Sequence, residues 1–338
     1  MTRYVLAKLG QSLFVIWAAY TFTFVLLYVL PYDAVDVMFN PSDGDLVSDA
    51  QKDVVRDQLG MSGSVLEQYF TRLVHAVQGD FGQSTRTGEP VLSMIAQVLP
   101  QTGILAAVAL TIAVVFAFTL ALGAAYTRNR WLANTLAGIP ALGVSVPVFL
   151  VGLVILQVFS FQLGWFPSIG NEGVASLILP AATLAIPVSA PIAQLLVKNF
   201  TIGLGSPYVA VSTAKGGTRL WVLINDVVKN AALPALTIAG ITLGNLLAGA
   251  VIVETIYSRS GLGRLTETAV RTQDVPLVQA VVVFAALVFV TVNFLVDIVY
   301  PLLDPRLRTA VLNSKSGVSA KDVESAQKKP ADEELVLS

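Results

Sequence analysis

Along this chain, long uncharged runs alternate with short clusters of charge. Six runs lack Asp, Glu, Lys and Arg: 9–32, 90–127, 131–171, 173–197, 230–253 and 275–296, of 24, 38, 41, 25, 24 and 22 residues. About 20 mostly apolar residues in a helix cross the hydrocarbon core of a bilayer. Backbone N–H and C=O groups must be paired internally in lipid, so each run is predicted to be helical where it crosses. The runs are continuous rather than alternating, which argues against a β-barrel. Runs this long and this many also argue against a soluble protein with six buried helices. The predicted fold class is an all-α membrane protein with six transmembrane helices. The expected spans are 9–32, 99–127, 132–162, 174–198, 233–256 and 276–303.

Punctuation within and between the runs refines this layout. The first run is too long for a signal peptide, and no small-x-small site closes it before Pro31 and Asp33, so it reads as an uncleaved span. The segment 33–98 is too long for a simple connection and carries its own helix signals. Ser48 with Gln51 and Ser64 with Glu67 have capping-box spacing, and Gly60 and Gly79 suit the ends of the helices they start. Two short helices are therefore expected as a small external cap. Pro140 and Pro147 lie in the third span, and Pro180, Pro187 and Pro191 in the fourth. Each removes an intrahelical bond and kinks its helix; such kinks either line a pathway or reflect local packing. Gly240, Gly244 and Gly249 give the fifth span a small-residue stripe, read as a helix-packing face.

The 199–232 segment between the fourth and fifth spans holds the most specific local pattern. Ser206 suits an N-cap and Pro207 the first helical position, and Gly216 and Gly217 end the short helix they open. Thr218 suits the cap of a second helix. Its apolar positions Leu220, Leu223, Ile224, Val227, Val228 and Ala231 form a one-sided stripe. A short exposed helix held at the membrane face by an amphipathic one is what a soluble partner needs to grip.

Composition and charge then limit the chemistry. Only 13% of residues are charged against 55% apolar, and Cys is absent, so thiol chemistry and Cys metal sites are excluded. No basic stripe suggests nucleic acid. The single histidine, His75, sits on a predicted helix and reads as structural rather than as a metal ligand or pH sensor. With six spans both termini share a compartment, which holds 14 Lys and Arg against 7 on the other side. The positive-inside rule makes that compartment the cytoplasm. The 257–275 loop then lies outside, and the 304–338 tail, polar and expected to be disordered from 313, lies inside. Glu254 and Asp297 fall near the ends of the fifth and sixth spans and are candidate gate or interface charges.

The residues also carry a family resemblance. YVAVSTAKGG from Tyr208, followed by NAALP ending at Pro234, resembles the EAA loop of ABC importer permeases, and most closely the peptide-permease group with its YVRTARAKG and NALLP. The separation of Gly216 from Pro234 also fits that group. Ala210 stands where the general motif has Glu and the peptide group often has Arg, and Ser212 and Thr213 replace Ala and Arg. These departures bear on a coupling salt bridge, not on the loop itself. RYVLAKLGQSLFVIW, GDFGQSTRTGEPV, SVPVFLVGLV, LGWFP, VIVETIYSRSGLGRL and LLDPRLR resemble further family segments in order, so the likeness spans Thr2 to about Arg308.

The resemblance implies the B-type subunit of a dipeptide or oligopeptide importer, with the ABC type I importer permease fold. It implies a second, homologous C-type permease, two cytoplasmic ATPase subunits that bind ATP and Mg, and an extracytoplasmic binding protein that delivers peptide. Tyr208, Val209, Ala210, Ser212, Thr213, Ala214, Lys215 and Gly216 would then be the ATPase-coupling residues. The chain contains no GxxxxGK[ST] motif, so it is expected to bind no cofactor or nucleotide alone and not to be an enzyme itself. Two alternatives remain: a permease of the same family moving a non-peptide solute such as a nickel chelate or glutathione, and a self-sufficient channel or secondary transporter.

Overall fold

A computed structural model of the chain describes residues 2–29 and 64–303. The expected cap helix of Ser48, Gln51 and Gly60, the 304–338 tail and the side chain of Asp297 lie outside the described residues. Two units divide the chain, Met1–Val296 and Asp297–Ser338; the described part of the second is the end of the last helix.

Eleven helices are present among the described residues. Helix α1 (Thr2–Phe24) continues through wider π turns to Val29. Helix α2 (Val65–Val77) starts at Ser64, whose hydroxyl accepts from the Glu67 N–H at 3.3 Å. Helix α3 (Val91–Tyr126) begins eight residues before the expected 99, because its first turn is a packing element: Val91 and Ile95 are buried. Helices α4 (Arg130–Ser145) and α5 (Val148–Ile155, continuing through π turns to Gln162) together occupy the stretch expected as the third span. They meet at 104°. Pro147 disfavours helical φ/ψ at the preceding residue, and Val146 is extended (φ −103°, ψ 129°). Helix α6 (Ala175–Leu204) runs unbroken through all three of its prolines.

Helices α7 (Pro207–Ala214) and α8 (Arg219–Val222) follow; α8 passes through π turns at Leu223–Val227 directly into α9 (Val228–Ile256). The amphipathic segment thus runs into the fifth span with no loop between them, and Pro234 lies inside the helix. Helices α10 (Leu262–Arg271) and α11 (Val275–Leu303) complete the chain. Among the described residues, four helical segments are long and apolar enough to cross a membrane alone, and up to six are if each bent pair, including a 49° bend within α9, counts as one span.

The core forms where α3, α6 and α9 meet, with α3 against α6 the most extensive pairing. Ala109, Ala113, Ala117 and Ala121 place one alanine per turn on α3, all fully buried. Small side chains let helix backbones approach, which drives association where lipid removes the hydrophobic contrast. Gly240 and Gly244 act similarly on α9: an added Cβ would lie 2.5 Å from Val296 Cγ2 and 2.2 Å from Phe289 Cε2, both on α11. Gly249 faces α6 instead, 2.9 Å from Leu184 Cδ2.

Candidate functional site

Two sites stand out, at opposite ends of the bundle. The first is built around α7. Pro207 occupies its first position, but the Ser206 hydroxyl does not cap it; it donates back to the Ile202 carbonyl at 3.1 Å. The other end closes as a Schellman motif: Gly216 N–H donates to Thr213 O at 2.9 Å and Gly217 N–H to Ser212 O at 3.1 Å. Gly216 takes φ +90°, which a side chain resists. At Gly217 a Cβ would sit 2.9 Å from Ser212 O.

Of the residues predicted for coupling, Tyr208, Ala210, Thr213, Ala214, Lys215 and Gly216 are exposed, while Val209 and Ser212 are half-buried. Val209 packs on the main core, and the Tyr208 hydroxyl sits over Gly203, where a Cβ would lie 3.2 Å from it. Thr218 caps α8 by accepting from Trp221 N–H at 3.3 Å. Arg219 donates to the Ala125 carbonyl at 3.0 Å, so a cation meets the negative end of α3. An open depression of about 460 Å³ beside the α7 tip is lined by Ser212, Lys215, Gly216, Gly217, Thr218 and Trp221. The stripe predicted for the second helix is only partly inward: Leu223, Val227 and Ala231 are buried, whereas Leu220 and Ile224 are exposed. The inward spacing is four residues, as the wider π turns require.

The second site centres on Glu254. Its carboxylate is 1% exposed and lies at the start of α10. It accepts from Thr102 Oγ1 at 2.7 Å, Gly263 N–H at 2.7 Å and Arg264 N–H at 3.3 Å. Thr102 Oγ1 accepts from Leu262 N–H at 2.7 Å. The first three amides of α10, which no intrahelical carbonyl can satisfy, are therefore all held by one Glu–Thr pair from α9 and α3. The N-cap residue, Gly261, has no side chain because the carboxylate fills that space: a Cβ would lie 2.2 Å from Glu254 Cδ. At Gly263 a Cβ would lie 2.4 Å from the Val251 Cα.

The surrounding loop is bonded just as fully. Arg259, also buried, donates to Gly170 O at 3.1 Å and Ser176 O at 3.0 Å. Asn171 and the Ser260 backbone exchange bonds of 2.9 and 3.0 Å. Tyr257 shares a 2.9 Å bond with Thr183 and donates to Gly152 O. Beyond the C-terminus of α10, buried Asp274 accepts from the Ser84 hydroxyl and, at 3.2 Å, from Thr85 N–H. The two ends of α10 are thus fastened by carboxylates, one to Thr102 within α3 and the other to Ser84 and Thr85 in the segment that leads into α3. Glu254 is a structural clamp in this geometry, with hydroxyl and amide partners. His75, assigned a structural role from the sequence, bonds Asp80 at 3.3 Å on the surface.

The Glu254–Thr102 and Ser84–Asp274 pairs join residues 152 and 190 positions apart, and sequence reading found neither. The available signal was a carboxylate ending an apolar run with glycines seven and nine residues later.

Comparison with known proteins bears on the chain as a whole. The family model described as "Binding-protein-dependent transport system inner membrane component" matches residues 113–309. The glutathione transport system permease protein GsiC of Escherichia coli (strain K12) is 33% identical over 309 residues, covering 91% of this chain and 99% of that protein. The protein of the same name from Shigella flexneri serotype 5b (strain 8401) is likewise 33% identical over 309 residues. Inward-facing conformations of the MetNI methionine ABC transporter share the fold, with a TM-score of 0.54 at 16% identity, over 62% of this chain and 96% of the matched chain.

Proposed function

Because the chain belongs to the family of binding-protein-dependent transport system inner membrane components, and is a permease subunit of an ABC importer, we propose that it forms half of a path for short peptides. A homologous second permease supplies the other half. Two ATPase subunits binding ATP and Mg drive the cycle from the cytoplasm, and an extracytoplasmic binding protein delivers the solute. ATP hydrolysis belongs to the assembled complex, with the nucleotide on its partners.

The observation that carries this reading is the exposed α7, which packs on the core through Val209, touches α6 through Tyr208 at Gly203, and leads into α8, whose Arg219 reaches the end of α3. A push on α7 reaches those helices through Val209, Tyr208 and Arg219. ATP-dependent closure of the partners biases a two-state arrangement of the spans through this contact. The excess of Lys and Arg on the α7 side, 14 against 7, supports cytoplasmic termini. Ala210, Ser212 and Thr213 give the contact an uncharged face, with Lys215 its one cation.

For the substrate, the motif resemblance favours peptides, and the relatives at 33% identity are named for glutathione transport. That name belongs to the alternative solute class rather than to dipeptides or oligopeptides; glutathione is itself a γ-linked tripeptide, so a small peptide-like solute is compatible with both readings. The coupling role is testable by cross-linking, because the chain has no cysteine. A cysteine at Ala210 in the assembled complex should cross-link to an ATPase in a nucleotide-dependent way. A cysteine at Glu267 on α10 should not. Absence of the first cross-link in an intact complex would refute the assignment.

A further inference from the structure

Helix α2 is amphipathic in a way that the external-cap reading does not absorb. One face packs on α1: Tyr69 stacks edge-on against Phe24 at 5.2 Å, and Leu73 and Ala76 pack on the Tyr20–Phe24 cluster. A second arc, Glu67, Thr71, His75 and Gln78, is polar and exposed. Between them a third stripe, Leu66, Phe70, Val74 and Val77, is apolar yet 70%, 60%, 55% and 81% exposed. These positions recur at i, i+4, i+8 and i+11, which places them on one side of a helix. Among the described residues, this apolar stripe is left exposed rather than packed into the core.

The residues that α2 touches indicate its depth. Its partners on α1 are Tyr20, Thr21, Phe24 and Tyr28, and the apolar span of α1 runs from Val5 to Tyr28. Thr21 lies about 10 Å along the helix from the end of that span. Tyr69 therefore meets α1 inside the span, not above it. The Tyr69 and Thr21 hydroxyls share a 2.8 Å bond, so each is paired where water is scarce. Arg72 donates to the Tyr28 hydroxyl at 3.1 Å and lies 4.6 Å over its ring, at the end of the span where a cation reaches the headgroups.

We propose that α2 lies in the headgroup–acyl boundary of the bilayer, its Leu66–Phe70–Val74–Val77 stripe covered by lipid and its Glu67–Thr71–His75–Gln78 arc in water. On the turns of α1 that α2 packs against, Phe22, Val25 and Leu26 are likewise apolar and exposed. An apolar face buried a few ångströms into this boundary and a polar face outward is the geometry of interfacial helices. Helix α2 thereby braces the end of α1 against the membrane surface.

The test uses the assembled importer in vesicles of phosphatidylcholine and phosphatidylglycerol. Single cysteines replace Phe70 or Val77 on the stripe and Glu67 or Thr71 on the arc, and each carries an environment-sensitive fluorophore. Lipids bearing a quencher near the headgroup should quench the stripe positions several-fold more than the arc positions. A water-soluble quencher should give the reverse order. Equal quenching of stripe and arc would overturn the proposal. So would a stripe shielded from both quenchers, because protein rather than lipid would then cover it.

Discussion

Replacing Glu254 with Ala removes the acceptor for two of the first three amides of α10. In the wild-type protein those amides, on Gly263 and Arg264, lie 2.7 and 3.3 Å from the carboxylate in a site that is 1% exposed. A hydrogen bond to a charged group contributes about 1.5–3 kcal/mol, and a buried donor left without an acceptor costs about 1–3 kcal/mol. The loss also removes a negative charge from a helix N-terminus, about 0.3–1 kcal/mol. At about 1.4 kcal/mol per factor of ten, the Gly263 amide should exchange its hydrogen about 10- to 150-fold faster. Glu254→Gln keeps one carbonyl oxygen and should fall between wild type and Glu254→Ala. Gly261→Ala should act from the opposite side, since its Cβ would occupy the carboxylate's position. The assay is hydrogen exchange by mass spectrometry on the complex in nanodiscs, read on peptides covering 260–271. Wild-type protection across α10 in Glu254→Ala would refute the idea that this carboxylate holds the helix.

Four further outcomes follow from the same geometry. Gly216→Val should lower ATP-driven uptake far more than Gly216→Asn, because a β-branched residue resists φ +90° whereas Asn tolerates it; equal loss would argue against a backbone cause. Gly244→Ala should destabilise the complex in thermal unfolding, and adding Phe289→Ala should recover part of that loss, with a coupling of about 1–3 kcal/mol, because the new Cβ would lie 2.2 Å from that ring. Arg219→Met should loosen the end of α3, seen as faster exchange near Ala125 and weaker coupling of ATP hydrolysis to uptake, with the spans still assembled. The Gly82 N–H and His75 hold the Asp80 carboxyl below its usual value, so its small contribution to the 79–83 turn is complete above about pH 4 and is lost as pH falls through the lowered value. Gly82 amide exchange, corrected for intrinsic rate, should show this loss in wild type and not in Asp80→Asn.

Local rules reached some elements and not others. Uncharged runs located the apolar helices because lipid forces length and composition together, and Pro147 marked the 104° break because proline acts on its immediate neighbour. Thr218 and Ser64 could be read as caps because their acceptors reach amides three residues on. Ser206 matched the same rule, yet its hydroxyl turns back to Ile202, an equally local competitor. The stripe that starts at Leu220 in α8 follows a 3.6-residue period in the sequence, and the π turns at Leu223–Val227 shift its inward face to Leu223, Val227 and Ala231. The α10 clamp was beyond local rules, because its cap comes from Glu254 and Thr102 on other helices. Gly261 hides that cap by having no side chain of its own. The alanine stripe on α3 was also overlooked, because alanines in an apolar run carry no contrast with their neighbours until the packed face of α6 is known.

ATP-driven uptake into proteoliposomes tests the central claim most directly. Vesicles holding this chain, its second permease and both ATPases should accumulate a dipeptide or, on the alternative solute reading, glutathione only when ATP is inside with the ATPases and the binding protein is present on the opposite side. Vesicles holding this chain alone should be silent. Uptake by the chain alone, or uptake by the complex without ATP, would contradict the account.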